Sequence, residues 1–556
     1  MSTTANPLFD VTFLEDASYA LPTSTDDVAA GVIDGVWGAA ETPVRLDSNS
    51  FDALFNPNNS ARVNYSYSVF KNFFAKGGSY VEAVRLGSKE QWLYLTIGYT
   101  DDDSNVAMVV SSSMSPYADS ENFSTLMSGS NALGVIRYRY PGGPDGSVTI
   151  TPLTLTVTGG IPAFKLSVTI AGVSVESHVV TFQACSVDGV SYFYADVLNS
   201  DSSYFVADAN LTSSNAQDFA EAVSGSEADI APVTESWDAV PVTSAYTVED
   251  YTQAYAVLSD RSLSTATLLL ATAPDSATKS GYPEDMSSVY TQIMQLSANR
   301  MDCNSLIGLN LGGSFVWPSA AQLAEGDNVL QTTFVTPFAS YRDKFSFGIA
   351  AMERFTVGGK TFVQDGTAGW AGRIAAVAAS TQNRNQMPSY KAYGSYSGTL
   401  LKSLNFQQVV SIHEEGIGSI YSSASGNYIF DVRSLYEVQS GYFGKANVMR
   451  MVAVILRNTF NMLENVIHTD ISANVNSRLQ FQSDLNSMLG ELKARSEIRS
   501  QSTADVGSEL NSDANTNGGE YLNILLDIWF MKLTERARIY IKASDSTTPQ
   551  VSIFEA

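Results

Sequence analysis

Two neighbouring stretches decide the reading of this chain: WGAAETPVRLDSNSFDALF (37–55) and FFAKGGSYVEAVRL (73–86). Val69, Phe70, Phe73 and Phe74 recur at the spacing of one helical face. Gly77 and Gly78 follow, and a glycine there ends a helix with a residue at positive φ. The run 80–86 then reads as a buried strand. A helix feeding a strand in this way predicts an α/β layer from residue 28 to 86.

Outward from this segment the patterning changes twice. Residues 95–136 contain no Lys or Arg. SVTITPLTLTV (147–157) and KLSVTIAGVSV (165–175) alternate with period two around Gly159-Gly160, as antiparallel hairpins do. Residues 98–238 therefore read as an antiparallel β-domain inserted into the α/β core and carried on its outside. The stretch 201–250 holds ten acidic residues and no basic one. It reads as a solvated outer face, with an electrostatic docking surface as the alternative. From residue 251 strands and helices alternate again: ATLLLATA (266–273) as a buried strand, 286–300 as a helix, NSLIGLNL (304–311) as a strand. Met451, Val452, Ile455, Thr459, Met462, Leu463 and Val466 share a face of a helix over 446–469. Leu485, Met488, Leu489 and Leu492 do so over 477–498. Residues 500–519 read as a polar connection, and two strands are expected over 521–533 and 537–543. Each terminus carries a lone strand pattern, Val11 with Phe13 and Val551 with Ile553.

Composition bounds the function. At 556 residues the chain is long enough for roughly three or four domains. A formal charge of -25 argues against binding a phosphate backbone, which needs clustered Lys and Arg. The two cysteines, Cys185 and Cys303, cannot supply a disulfide framework and read as reduced, buried thiols. The first residues have neither a basic nor an apolar signal-peptide region, and no apolar run reaches the ~18 residues of a membrane span. Synthesis in a cytoplasm is the expectation.

Catalytic patterns are missing. His178, His413 and His468 are the three histidines and show no ligand spacing. HEEG (413–416) lacks the second His of a zinc helix. GSYSG (394–398) has Tyr396 where a nucleophile elbow needs Ser. GIGSIY (416–421) has Tyr421 where a dinucleotide fingerprint needs Gly. DGTAGWAG (365–372) lacks the Lys of a phosphate loop, so close packing of backbone on backbone is its expected use. Asp101-Asp102-Asp103 reads as a solvated loop, with a hard-cation site as the alternative. No catalytic residue, cofactor or metal site is assigned.

Read in order, a set of short motifs resembles the contractile tail sheath proteins of tailed bacteriophages and related contractile injection systems. They are Trp37-Gly38-Ala39, Pro43-Val44 and Phe51 to Phe55; Phe73-Phe74-Ala75-Lys76-Gly77-Gly78; and the strand from Val81 to Arg85. VLNSDSSYF (197–205), RMDCNSLIGL (300–309), SYRDKFSFGIAAMERF (340–355), AGWAGRIAA (368–376), SYSG (395–398), FDVRSLY (430–436) and NVMRMVAVI (447–455) continue the likeness. Departures occur at Gln382-Asn383-Arg384 and at MPSYKA (387–392).

The resemblance implies an α/β (α+β) multidomain fold. Its parts would be an N-terminal arm (1–25), an α/β core (26–97 and 239–360), the inserted outer β-domain (98–238), a C-terminal sheath domain (361–543) and a C-terminal arm (544–556). It implies a virion protein, assembled in the host cytoplasm, that forms stacked hexameric rings around an inner tail tube. Other copies of the chain, the tube protein, and baseplate and tail terminator proteins are the implied partners, with no nucleic acid and no membrane insertion. Val11, Phe13, Val551 and Ile553 are then expected to link subunits, with Leu522, Ile524, Leu526, Ile539 and Ile541 as the receiving sheet. Arg478, Lys493, Arg495 and Arg499 are expected to face the tube. The alternatives are the sheath of a bacterial injection system or tailocin and, in a different class, a hydrolase with an accessory β-domain.

Overall fold

The computed structural model describes residues 28–35, 37–55, 64–102, 105–129, 131–157, 160–225, 230–240, 246–271, 286–309, 316–388, 393–431, 433–437, 441–464, 475–512, 522–531, 538–542 and 550–554. Its architecture is mixed α/β. An eight-stranded sheet runs in the order Pro43–Leu46, Tyr80–Arg85, Val28–Ile33, Thr267–Leu268, Asn304–Ile307, Ser346–Ala350, Ile417–Ser423, Gly426–Ile429. All internal pairings are parallel, and each edge strand is antiparallel to its neighbour. Parallel strands need cover on both faces. Here Val28–Ile33 and Ser346–Ala350 are buried along their whole length. Ala29, Ile33, Val81 and Ala83 enter one core, with Phe51, Phe70, Phe73, Trp370 and the helix Ala446–Glu464. Ala30, Val32 and Val84 enter the other, with the helices Val248–Ala256, Ser287–Arg300 and Phe406–Glu414.

This sheet corrects the expected division of the chain. Ile417–Ser423 and Gly426–Ile429 lie in the range assigned to a separate C-terminal domain, yet they extend the core sheet. The boundary at 360/361 also splits a hairpin, Met352–Val357 paired with Lys360–Asp365. The physical reason is that parallel strands recruit partners by burial, not by nearness in sequence.

The inserted region is a pair of four-stranded antiparallel sheets with one shared core. Their orders are Phe205–Val206, Ala132–Tyr138, Trp92–Asp102, Asn105–Ser115 and Val233–Trp237, Gly146–Val157, Ile161–Ile170, Val173–Val180. The boundary expected at residue 98 falls inside the strand Trp92–Asp102, so the insertion begins earlier. Trp37 explains how it is attached. Its ring is buried in the insertion's core, edge-on to Tyr138 at 4.9 Å and stacked on Tyr204 at 5.3 Å.

The glycines of the quoted motifs serve close packing. Gly77, at φ 111°, follows the helix Tyr65–Ala75, as expected. Gly372 lies in the helix Thr367–Thr381, where a Cβ would stand 2.3 Å from the carbonyl oxygen of Phe73. The two helices thus touch through backbone. Gly490, in the helix Val475–Ala494, meets nothing within 4 Å. Gly372→Ala should cost about 1–3 kcal/mol by overpacking, whereas Gly490→Ala should gain about 0.5–1 kcal/mol from helix propensity; denaturant melts of the two variants check the contrast.

Candidate assembly surfaces

Three buried polar joints fix segments that are distant in sequence. The first fastens the insertion. Arg85 ends its strand with a fully buried side chain. Its guanidinium donates to Gly38 O (3.0 Å), Gly35 O (2.9 Å), Pro141 O (2.8 Å) and Glu90 Oε2 (2.6 Å). Burial pushes the Glu90 carboxyl up to about 7, against the opposing pull of Arg85.

The second joint holds the long C-terminal helix to the sheet. Asp302 accepts from Arg300 Nε at 2.8 Å and Arg300 Nη2 at 3.0 Å, and Arg457 Nε lies 3.8 Å from it. Arg457 also donates to the carbonyls of Thr265 (2.7 Å) and Asp302. All three charged side chains are buried. Two cations around one carboxylate, with the carbonyls of Leu258, Leu263, Thr265 and Asp302 accepting further guanidinium donors, offset much of the desolvation cost. Burial also pushes the neighbouring Cys303 thiol up to about 12, which keeps it protonated and unreactive. Cys303 is buried as expected, but Cys185 is half-buried; neither is in a disulfide.

The third joint surrounds Glu353. Asn72 Nδ2 donates to Glu353 Oε1 at 2.6 Å and to Gln364 Oε1 at 3.1 Å, and Gln364 Nε2 donates to Ser68 Oγ at 2.6 Å. Residues 68–72 are thereby held to residues 353–364.

The expected linking residues fall as follows. Val11 and Phe13 lie outside the described residues. Val551 and Ile553 are in the strand Gln550–Phe554, which pairs antiparallel with Arg538–Lys542: Ile541 opposes Val551 and Ile539 opposes Ile553. The expected receiving sheet is not one sheet among the described residues. Leu526 sits in the strand Leu525–Asp527, which pairs with Thr503–Asp505, while Leu522 and Ile524 precede that strand; all three are half-buried against the main core. Ile539 and Ile541 belong to the separate two-stranded ribbon. The range 500–519 is also not merely a polar connection. Thr503–Asp505 runs beside the helix Val475–Ala494, with Asn486 bonding both the N–H and the carbonyl of Ala504. The buried Ala504 and Val506 were the sequence signal for that strand.

Of the expected tube-facing cations, Arg478 is a correction. It is buried, because its position three residues before Phe481 puts it on the apolar face of the helix with Leu485, Met488, Leu489 and Leu492. Lys493 and Arg499 are half-buried and Arg495 is exposed. The helix ends at Ala494, so Arg495 lies on the turn beyond it and Arg499 follows Ile498, which bridges to Phe530.

Among the described residues no group of three His, Cys, Asp or Glu side chains is placed to hold a metal, and no helix is long and apolar enough to cross a membrane. His178 lies 3.5 Å from Glu176 and His413 3.0 Å from Asp431, in different parts of the fold; His468 lies outside the described residues.

No protein-family model matches the chain, and no curated protein matches it in sequence. Solved structures do match in fold. The sheath tail protein of Listeria innocua aligns over 96% of this chain and 96% of its own, at 13% identity and a TM-score of 0.54. Two weaker matches have a TM-score of 0.46. The sheath tail protein of Desulfitobacterium hafniense has 10% identity and covers 90% of this chain and 92% of its own. The contracted sheath complex of the extracellular contractile injection system PVC has 9% identity and covers 98% and 99%. The chain has the fold of a sheath tail protein, carried by the first of these likenesses, and this agrees with the resemblance of its motifs.

Arg85→Met should destabilise the protein by about 3–5 kcal/mol, because it strands Glu90 and three carbonyls. Glu90→Gln should instead flatten the pH dependence. A carboxyl raised to about 7 lends its stabilisation fully below the ordinary glutamate range and loses it as pH rises through about 7. Melting curves from about pH 5 to about pH 8 should slope downward more in the parent than in Glu90→Gln.

Proposed function

We propose that this chain is the structural subunit of a contractile tail sheath. It polymerises as stacked hexameric rings around an inner tube and, on contraction, drives the tube through a host envelope to deliver a genome. The observation that carries this reading is the likeness to a sheath tail protein over 96% of both chains, including the insertion and both halves of the core. The role is mechanical and not catalytic. Partners are other copies of the chain, the tube protein, and baseplate and terminator proteins, in a particle assembled in the host cytoplasm.

The ribbon of Arg538–Lys542 and Gln550–Phe554 supports a linking role for the C-terminal arm. A two-stranded ribbon has unpaired backbone groups on both outer edges, and a further strand satisfies them. In the polymer the partner of Arg538–Lys542 would be the same strand from a neighbouring copy, in the same register, as in a domain swap. Val11 and Phe13 would add the N-terminal arm, and Leu522, Ile524 and Leu526 would seat the ribbon on the core. Lys493, Arg495 and Arg499 would give a weak, salt-sensitive contact to an acidic tube, suited to release.

Purified protein viewed by negative-stain electron microscopy should form hollow, cross-striated cylinders, alone or on addition of the tube protein. Small uniform particles under both conditions would remove the proposal. Deleting residues 544–556 should abolish the cylinders while leaving the melting temperature of the folded body unchanged. Reversing charge at Lys493 and Arg495 should weaken tube binding at low salt and have little effect at high salt, as read by co-sedimentation.

A further inference from the structure

Glu353 is more than a hydrogen-bonding member of its joint. It lies near the start of the strand Met352–Val357 with its side chain fully buried. One carboxyl oxygen is well served: Oε1 accepts from Asn72 Nδ2 at 2.6 Å and from Tyr396 OH at 2.8 Å. The other oxygen, Oε2, is buried and has no hydrogen-bond partner among the described residues. Asn72 Oδ1, an acceptor on the same partner side chain, is in the same position. Backbone closes around the group. A Cβ on Gly369 would stand 2.6 Å from Oε1, and one on Gly398 would stand 2.4 Å from Oε2.

Charged and titratable groups face Glu353 from each side. Lys76, just past the helix Tyr65–Ala75, places Nζ 5.1 Å from the Tyr396 ring centre and 3.5 Å from Ser397 Oγ, and forms no ion pair with Glu353. Asp365, from the paired strand Lys360–Asp365, is a second buried carboxyl that burial also raises above the ordinary aspartate value. Its own oxygens accept from Thr367 Oγ1 at 2.6 Å and Tyr290 OH at 2.8 Å. Tyr396 supplies the remaining hydroxyl, and its proton is held tightly by burial and by Glu353. An ionised Glu353 would therefore bury a charge with one oxygen unserved and a second carboxyl nearby, which is strongly unfavourable. A neutral acid carries a proton on that oxygen and removes the charge.

We propose that Glu353 is held as a neutral carboxylic acid and acts as a proton-dependent fastener joining the helix Tyr65–Ala75, the hairpin Met352–Asp365 and the turn at Tyr396. Burial and the Asp365 charge act in the same direction, raising the Glu353 carboxyl above the ordinary glutamate value, while Asn72, Lys76 and Tyr396 oppose them. The stability that the fastener lends is complete below the ordinary glutamate range. It is lost as pH rises through the folded-state value, so the joint loosens on the alkaline side. The place matters because here the early helix meets the hairpin and the Thr367–Thr381 helix that leads into the C-terminal part of the chain.

The test uses the full chain carrying Glu90→Gln, so that the other glutamate raised by burial among the described residues is silent. With isotope-labelled glutamate, the infrared spectrum at neutral pH should contain a protonated carboxyl band that Glu353→Gln removes and Asp365→Asn leaves in place. The downward slope of melting temperature as pH rises above the ordinary glutamate range should be shallower in Glu353→Gln. A spectrum without a protonated glutamate overturns the proposal. So does a band or a slope that Glu353→Gln leaves unchanged. If Glu353→Gln does not fold, the labelled spectrum of the parent decides alone: a protonated glutamate band at neutral pH supports the proposal and its absence overturns it.

Discussion

A strand inside a parallel sheet has no solvent for its peptide groups, so it must find a neighbour on each side. The rest of this molecule depends on how Val28–Ile33 meets that constraint. One neighbour, Tyr80–Arg85, is nearby in sequence. The other, Thr267–Leu268, lies some 240 residues on, and the sheet then continues through strands up to Ile429. The whole insertion has to leave after Tyr80–Arg85 and return before Thr267–Leu268, the two strands that flank Val28–Ile33. That geometry gives a body in which early and late segments share one core, with the β-insertion carried outside it.

Once distant segments share a core, each contact between them needs its own fastening, and the buried polar groups are gathered at these joints. Arg85 binds the loop at Gly35 and Gly38 to Glu90, at the insertion's start, and to Pro141 within it. Asp302, between Arg300 and Arg457, binds the helix Ala446–Glu464 to the sheet. Glu353 and Gln364 bind the early helix to the late hairpin. Glycines do the same work sterically, since Gly372 and Gly369 allow the backbone and Tyr396 to approach the helix Thr367–Thr381. Buried, closely packed joints resist gradual deformation. A body built this way moves as a unit, as the proposed sheath role would require.

Much of this was legible in the residues. The face of Val69, Phe70 and Phe73, the stop at Gly77, the strand to Arg85 and the helices after residues 446 and 475 are local patterns, set by side-chain period and turn chemistry. The close packing of AGWAG was legible from what it lacked, a lysine for a phosphate loop. The β-character of the insertion was readable from its period-two runs. Its first boundary was not, because Trp92–Asp102 has no break in pattern where the core ends. The buried place of Arg478 was missed because charge was weighed above helical position; its spacing to Phe481 and Leu485 held the correct answer.

The sequence by itself determined the type of the strongly patterned helices and strands, that the chain is acidic, and the order of motifs that resembles a sheath protein. These are local or additive properties of residues. Only the tertiary structure decided that strands from both halves of the chain form one sheet. It likewise decided that Leu526 and Ile539 lie in different sheets, and that Glu353 sits buried between a helix and a hairpin nearly three hundred residues apart. Those outcomes depend on which surfaces meet, and burial pairs surfaces by shape and polarity without regard to separation along the chain.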